Sequence, residues 1–272
     1  MCAQIIAICN AKGGVGKTTT SINLGAGLAE LGYRVLLIDN DPQKANLTMA
    51  LGHTGSSLRY TMANLLFTAL DYPEELPDYI QKTLLHTEKM DLLPANKKLT
   101  GICTRLSVEQ AGGVTEDGDT RPEFALRTVI DAVSDKYDYI IIDSGPKLDM
   151  LMTNALAAAT QVIVPVQAHY LAMEGLTDIL ETVTFIRQRY NPELTIGGIL
   201  LTMYQSQTNL CRSVEQQISE QYGADVHLFH TPIGASIKVA ENPLFGASLF
   251  SAFPTHSTTL AYAEMAKEVA NG

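Results

Sequence analysis

Lys12-Gly13-Gly14-Val15-Gly16-Lys17-Thr18-Thr19 decides how this chain is read. The apolar run Gln4–Cys9 (QIIAIC) before it reads as a buried strand, and Lys17–Leu31 after it reads as a helix stopped by Gly32. A glycine-rich turn between a strand and a helix is the setting of a phosphate-binding loop. Glycines let successive backbone N–H groups turn inward around phosphate oxygens, and the helix N-terminus adds partial positive charge. On this reading Gly13, Gly14, Val15, Gly16, Lys17, Thr18 and Thr19 cradle the phosphates of ATP or ADP. Lys17 bridges the β- and γ-phosphates, and the Thr18 hydroxyl ligates Mg²⁺. The ordinary loop has a glycine where this chain has Ala11, and a lysine, Lys12, stands at the loop's second position instead. A dinucleotide fingerprint fails, because Thr19 stands where its third glycine belongs.

Outward from the loop, apolar runs alternate with helical patterns. Arg34–Asp39, Tyr139–Asp143, Gln161–Val166, Thr195–Met203 and Val226–Phe229 read as further strands. Their near-continuous apolar character suits a parallel sheet covered on both faces. Leu171–Tyr190, Thr208–Tyr222 and Thr258–Ala270 read as helices, the second with Leu210, Val214, Ile218 and Tyr222 on one stripe. The expected fold is therefore α/β: a doubly wound, mostly parallel sheet with helices on both faces, as in P-loop NTPases. Residues 52–126 mix short helical patterns with loops, and Gly112–Pro122, acidic and glycine-rich, reads as a mobile surface loop. With no internal repeat and no dividing linker, residues 1–272 read as a single domain.

Three carboxylates stand at strand ends, where side chains of an open α/β sheet reach the ligand crevice. Asp39 and Asp41 lie two apart, which in extended chain puts them on one face. One then holds Mg²⁺ through water while the other orients the attacking water. Asp143 closes YDYIIID and accepts from Mg²⁺-bound water or from Thr18, as a Walker B aspartate does.

The composition, 46% hydrophobic and 18% charged over 272 residues, supports a sizeable core. The net charge of −10 repels nucleic acid on average, so DNA binding needs a local basic patch and weakens steeply with salt. Cys2, Cys9, Cys103 and Cys211 form no CxxC pair and read as reduced thiols of a cytoplasmic protein. The opening MCAQIIAICNAKGG reads as neither a signal peptide nor a membrane span.

Taken together, KGGVGKTTTSINLGAGLAELGYRVLLIDNDPQ, YDYIIIDSGP, the stretch from Val166 to Tyr204 and Lys238–Pro243 resemble the ParA/MinD family of deviant Walker A ATPases, closest to Soj-like ParA proteins. The resemblance covers most of the chain and is weakest at residues 52–126. It implies a homodimer with ATP sandwiched between subunits, in which Lys12 reaches the partner's phosphates and Asp41 assists the hydrolytic water. It implies slow hydrolysis, stimulated by a ParB-like activator, and nonspecific DNA binding in the ATP state. Gly234 and Ser236 fall where the family often has a proline and an asparagine against the base, and Ala235 and Lys238 where it has arginines.

On the partition reading, Arg187, Arg189, Arg212 and Lys238 are the candidate DNA phosphate contacts. A positioning or regulatory ATPase with a protein cargo uses the same switch. A MinD-like membrane cycle needs a basic amphipathic C-terminal helix, and AYAEMAKEVANG, with one lysine and two glutamates, is not one. A cluster-bearing reductase needs a cysteine pair, and Cys103 and Cys211 lack its surroundings.

Overall fold

The computed structural model describes residues 3–112, 121–169 and 172–272. In chain order the elements are β1 (Gln4–Ile8), α1 (Lys17–Glu30), β2 (Val35–Asn40), α2 (Asn46–Ala50), α3 (Met62–Asp71), α4 (Leu76–Thr83), β3 (Leu85–Thr87) and β4 (Met90–Leu93). They continue with α5 (Leu99–Gly112), α6 (Ala125–Asp131), β5 (Tyr139–Ser144), α7 (Met150–Ala158), β6 (Gln161–Gln167), α8 (Ala172–Arg189) and β7 (Thr195–Thr202). Last come α9 (Asn209–Tyr222), α10 (Ile237–Glu241), α11 (Leu249–Ala252) and α12 (Ser257–Asn271). Most of the acidic segment Gly112–Pro122, and with it the mobile loop expected there, lies outside the described residues, as does Cys2.

The seven strands run in the order β3-β4-β2-β5-β1-β6-β7, parallel throughout except for β3 against β4. The doubly wound expectation holds, for the reason visible in the strands themselves: successive side chains alternate faces, and both faces are apolar. Ile6 and Ile8 of β1 pack with α1 and α12, while Ala7 and Cys9 pack with α7 and α8. In β5, Tyr139 and Ile141 face the first layer, and Ile140 and Ile142 face α3, α6 and α7.

The structure departs from the sequence reading in three places. Val226–Phe229 makes only an isolated bridge, Leu228 to Ile199, through Ile199 N–H to His227 O (2.8 Å) and Phe229 N–H to Ile199 O (3.1 Å). Pro232 follows soon after and has no N–H to extend a ladder. In α9 the buried stripe is Cys211, Val214 and Ile218, with Leu210 46% exposed. A strict four-residue repeat drifts around a helix of 3.6 residues per turn, whereas the three-then-four spacing stays on one face. Finally, residues 85–93 form the β3–β4 hairpin, which the sequence reading passed over. Its turn puts Glu88 at φ 51°, a left-handed conformation usually taken by Gly or Asn. Glu88 is held there by Ser248, whose N–H and hydroxyl donate to its carboxylate at 2.8 and 2.7 Å.

Helix α1 is pressed against α12 at Gly27, where an added Cβ would lie 2.7 Å from Ala266 Cβ and 3.2 Å from Phe250 Cζ. Alanine would gain about 1 kcal/mol in helix propensity. Overpacking a tight contact costs about 1–3 kcal/mol, and Ala266 Cβ has no rotamer to escape by. Gly27→Ala is therefore expected to destabilise the protein by roughly 0.5–2 kcal/mol in urea unfolding; a stabilised variant would show that the helices separate freely.

Candidate nucleotide-binding site

The loop after β1 is held on three sides. Asn10 Nδ2 donates to Pro165 O at 2.8 Å, tying the loop's start to β6, while Asn10 Oδ1 accepts from Lys12 N–H at 2.9 Å. Thr202, at the end of β7, donates its hydroxyl to Val15 O at 2.9 Å. Gly14 and Gly16 turn the chain with φ of 75° and 86°, and Gly16 caps α1. Such left-handed steps beside a helix N-terminus make a concave nest of N–H donors for an anion. The cavity in front of it is lined by Gly13, Gly14, Gly16, Lys17, Thr18 and Thr19 on one side and by Asp41, Gln43, Lys44, Asn46, Ser144, Gly145 and Pro146 on the other, with Met203 at its rim. Val15 is buried beneath it.

Lys17 is only 8% exposed, and its ammonium donates to Lys12 O at 2.9 Å. Burial draws its pKa below the ordinary lysine value, against the opposing pull of Asp143, Cys9 and Asp41. Thr18 Oγ1 donates to Asp143 Oδ2 at 2.7 Å, and Ser21 Oγ donates to Asp143 Oδ1 at 3.0 Å. The aspartate at the end of β5 thus sits directly behind the hydroxyl expected to meet a metal. A nest of N–H groups, a buried ammonium and a hydroxyl backed by a carboxylate fit a triphosphate with Mg²⁺.

Asp39 and Asp41 diverge, contrary to the shared face expected of them. The chain turns after β2, with Asp41 N–H donating to Asp39 Oδ1 at 3.1 Å. Asp39 is fully buried, and its Oδ2 accepts from the N–H and hydroxyl of Thr48 at 2.9 and 2.6 Å. It does not line the cavity. Asp41 does, held by Gln43 N–H (2.9 Å) and Asn46 Nδ2 (3.0 Å).

Asp39 and Asp143 are paired across neighbouring strands. Burial lifts Asp143 to about 7, helped by the charge of Asp39 and countered by Thr18 and Ser21. Burial lifts Asp39 to about 6, countered chiefly by the bonds from Thr48. Both carboxyls hold their protons longer in the folded than in the unfolded chain. The stability they contribute is therefore complete below the unfolded value near 4 and is lost as pH rises through about 6 to 7. With nucleotide and Mg²⁺ removed, Tm is expected to fall as pH is raised from about 5 to 8, by about 2–4 °C for each kcal/mol lost. Asp143→Asn should flatten that fall; an unchanged slope would mean these carboxyls do not carry it.

The other sequence candidates lie elsewhere. Lys12 is half-buried outside the cavity lining, its Cβ facing Gly175. Gly234 bridges to Tyr204, and Ser236 caps α10 by accepting from Lys238 N–H at 3.2 Å; neither lines the cavity. Nor do the four basic residues form one patch. Arg187 and Arg189 end α8, at the end of the sheet where β7 begins, while Arg212 opens α9 beyond the opposite end of β7. Arg212 donates to Asn209 Oδ1 at 2.9 Å, and Lys238 pairs with Glu241 at 3.3 Å. The sequence reading missed Ser21, Gln43, Lys44, Asn46, Ser144, Gly145, Pro146 and Met203. Ser21 was within reach of it, since a residue four after Lys17 shares that helix face.

A family model described as "AAA domain" matches residues 3–196. Sporulation initiation inhibitor protein Soj of Bacillus subtilis is 38% identical over 267 residues, covering 98% of both chains. Chromosome-partitioning ATPase Soj of Thermus thermophilus is 41% identical over 266 residues, covering 97% of this chain and 94% of that one. Among solved structures, cobyrinic acid a,c-diamide synthase from Mycobacterium smegmatis with bound ADP and magnesium superposes with a TM-score of 0.78 at 32% identity, covering 97% and 93% of the two chains. With the phosphate loop and the Thr18–Asp143 pair beside these similarities, the chain belongs to the ParA/MinD family of P-loop ATPases, on its Soj-like branch.

Proposed function

We infer that the chain is a single-domain, Mg²⁺-dependent ATPase that uses ATP as a dimerisation switch in partition. The observation that carries this reading is the convergence of Lys17, Thr18 and Asp41 on one cavity, with Asp143 2.7 Å behind Thr18. Mg²⁺ held at the Thr18 hydroxyl neutralises phosphate charge. Lys17 and the loop N–H groups bind and orient the phosphates, Asp143 fixes the Thr18 hydroxyl, and Asp41 accepts a proton from the attacking water. Asp39 holds the 41–48 segment in place through Thr48, and any part it has in metal binding is indirect.

Lys12 completes the partner's site rather than its own. Its side chain lies outside the cavity lining. The partner is a second copy of this chain, and a ParB-like protein speeds the slow hydrolysis. The ATP-bound dimer binds DNA nonspecifically, in the cytoplasm and on the nucleoid. No described helix is long and apolar enough to cross a membrane, and α12 buries Tyr262, Met265 and Ala266 against α1.

DNA retention at graded salt tests this. ATP is expected to drive binding that weakens log-linearly with salt, with Asp41→Ala retaining it and Lys12→Ala losing it. Equal retention with ADP would sink the switch. The net charge of −10 and the division of the basic residues between opposite ends of the sheet favour a second reading, a protein cargo. ATP binding without DNA retention would select it.

A further inference from the structure

At the end of the sheet opposite the nucleotide site, three side chains converge that the ATPase chemistry does not use. His227 Nε2 and His230 Nδ1 each lie 2.6 Å from the same oxygen, Glu268 Oε1. The ligand atoms of all three lie within 4.8 Å of one another. They open on a cavity of about 730 Å³ whose floor includes Gln4, Gln161 and Thr195, the first residues of β1, β6 and β7.

We propose that His227, His230 and Glu268 form a binding site for a borderline divalent transition metal of the Zn²⁺ class. Two imidazoles and one carboxylate are a donor set of that class, and hard Mg²⁺ and Ca²⁺ prefer oxygen ligands. Tetrahedral coordination at about 2.0–2.1 Å separates ligand atoms by roughly 3.3 Å, so each imidazole has to draw back from Glu268 Oε1 by about 0.7 Å while the two imidazole nitrogens adjust toward the same separation. The side chains can do this. His230 is 81% exposed on its side chain, His227 is 41% exposed, and Glu268 sits on a flexible stem. The supports on either side are firm. Phe229 packs edge-on to His227 with ring centroids 5.2 Å apart, and the backbone at His227 and Phe229 is bonded to Ile199 of β7. Glu268 rises from α12, which packs along α1. A metal there would join α12 to the segment around His227 and His230 that is bridged to β7.

The test uses the full chain, with any purification tag removed, stripped with chelator and titrated with Co²⁺. Visible absorption reports four- or five-coordinate Co²⁺. One equivalent is expected to bind and to be displaced by Zn²⁺, and Zn²⁺ should raise Tm. His230→Ala and Glu268→Gln should each weaken binding about tenfold or more. His230→Ala removes an exposed side chain, so circular dichroism and ATP turnover should match the unaltered protein. Asp143→Asn should leave the Co²⁺ spectrum unchanged. No absorption band, or a band that survives both cluster variants, would overturn the proposal, as would one that disappears with Asp143→Asn.

Discussion

Lys17→Ala is expected to lower ATP turnover by about 10²–10³-fold, the typical loss when one preorganised charge donor to a developing anion is removed. The ammonium is buried beside Asp143 and Asp41, so water cannot replace it cheaply. Stability should change far less. In the free chain Lys17 makes one charged hydrogen bond, to Lys12 O, worth about 1.5–3 kcal/mol. Removing the side chain also removes the cost of burying an ammonium, and the two effects oppose each other. Single-turnover hydrolysis at saturating ATP, read alongside Tm, separates them. Turnover within about fivefold of the unaltered protein would show that the charge is not used in the transition state.

Asp41→Ala is expected to cost about 10²–10⁴ in hydrolysis, the range for a positioned proton acceptor, while nucleotide affinity stays within about threefold. That split depends on geometry. Asp41 faces the cavity across from the phosphate loop, and its carboxylate is held by Gln43 N–H and Asn46 Nδ2. Alanine also frees the segment those bonds hold, so the isosteric Asp41→Asn is needed beside it. The amide preserves an acceptor for Gln43 N–H and takes no proton at neutral pH. If Asp41→Asn hydrolyses ATP as the unaltered chain does, Asp41 only shapes the loop. Loss in both variants with binding retained assigns it to the water. Asp39 should respond differently: its bonds to Thr48 are internal, so Asp39→Asn should show first in stability.

Much of this site was legible because its signals are local. The glycines at 14 and 16 take left-handed φ as the strand–turn–helix order requires, and Asp143 ends an apolar run as a strand-end carboxylate does. Asp39 and Asp41 misled because two-residue alternation holds only while the chain stays extended, and here it turns at once to cap on Asp39. The β3–β4 hairpin escaped for a different reason. Nothing near Glu88 predicts its left-handed turn; Ser248, far along the chain, holds it.

The alternating strand and helix order, the two-sided sheet, the phosphate loop and the strand-end aspartates were all legible in the amino-acid sequence. Hydrophobic period, glycine placement and chain direction are properties of neighbouring residues, so they can be read in a line. The folded chain was needed to show which aspartate faces the cavity, that Lys12 lies outside it, and that the basic residues stand at opposite ends of the sheet. It alone brought His227, His230 and Glu268 together, since crossover connections and helix packing, not sequence spacing, choose which distant side chains meet.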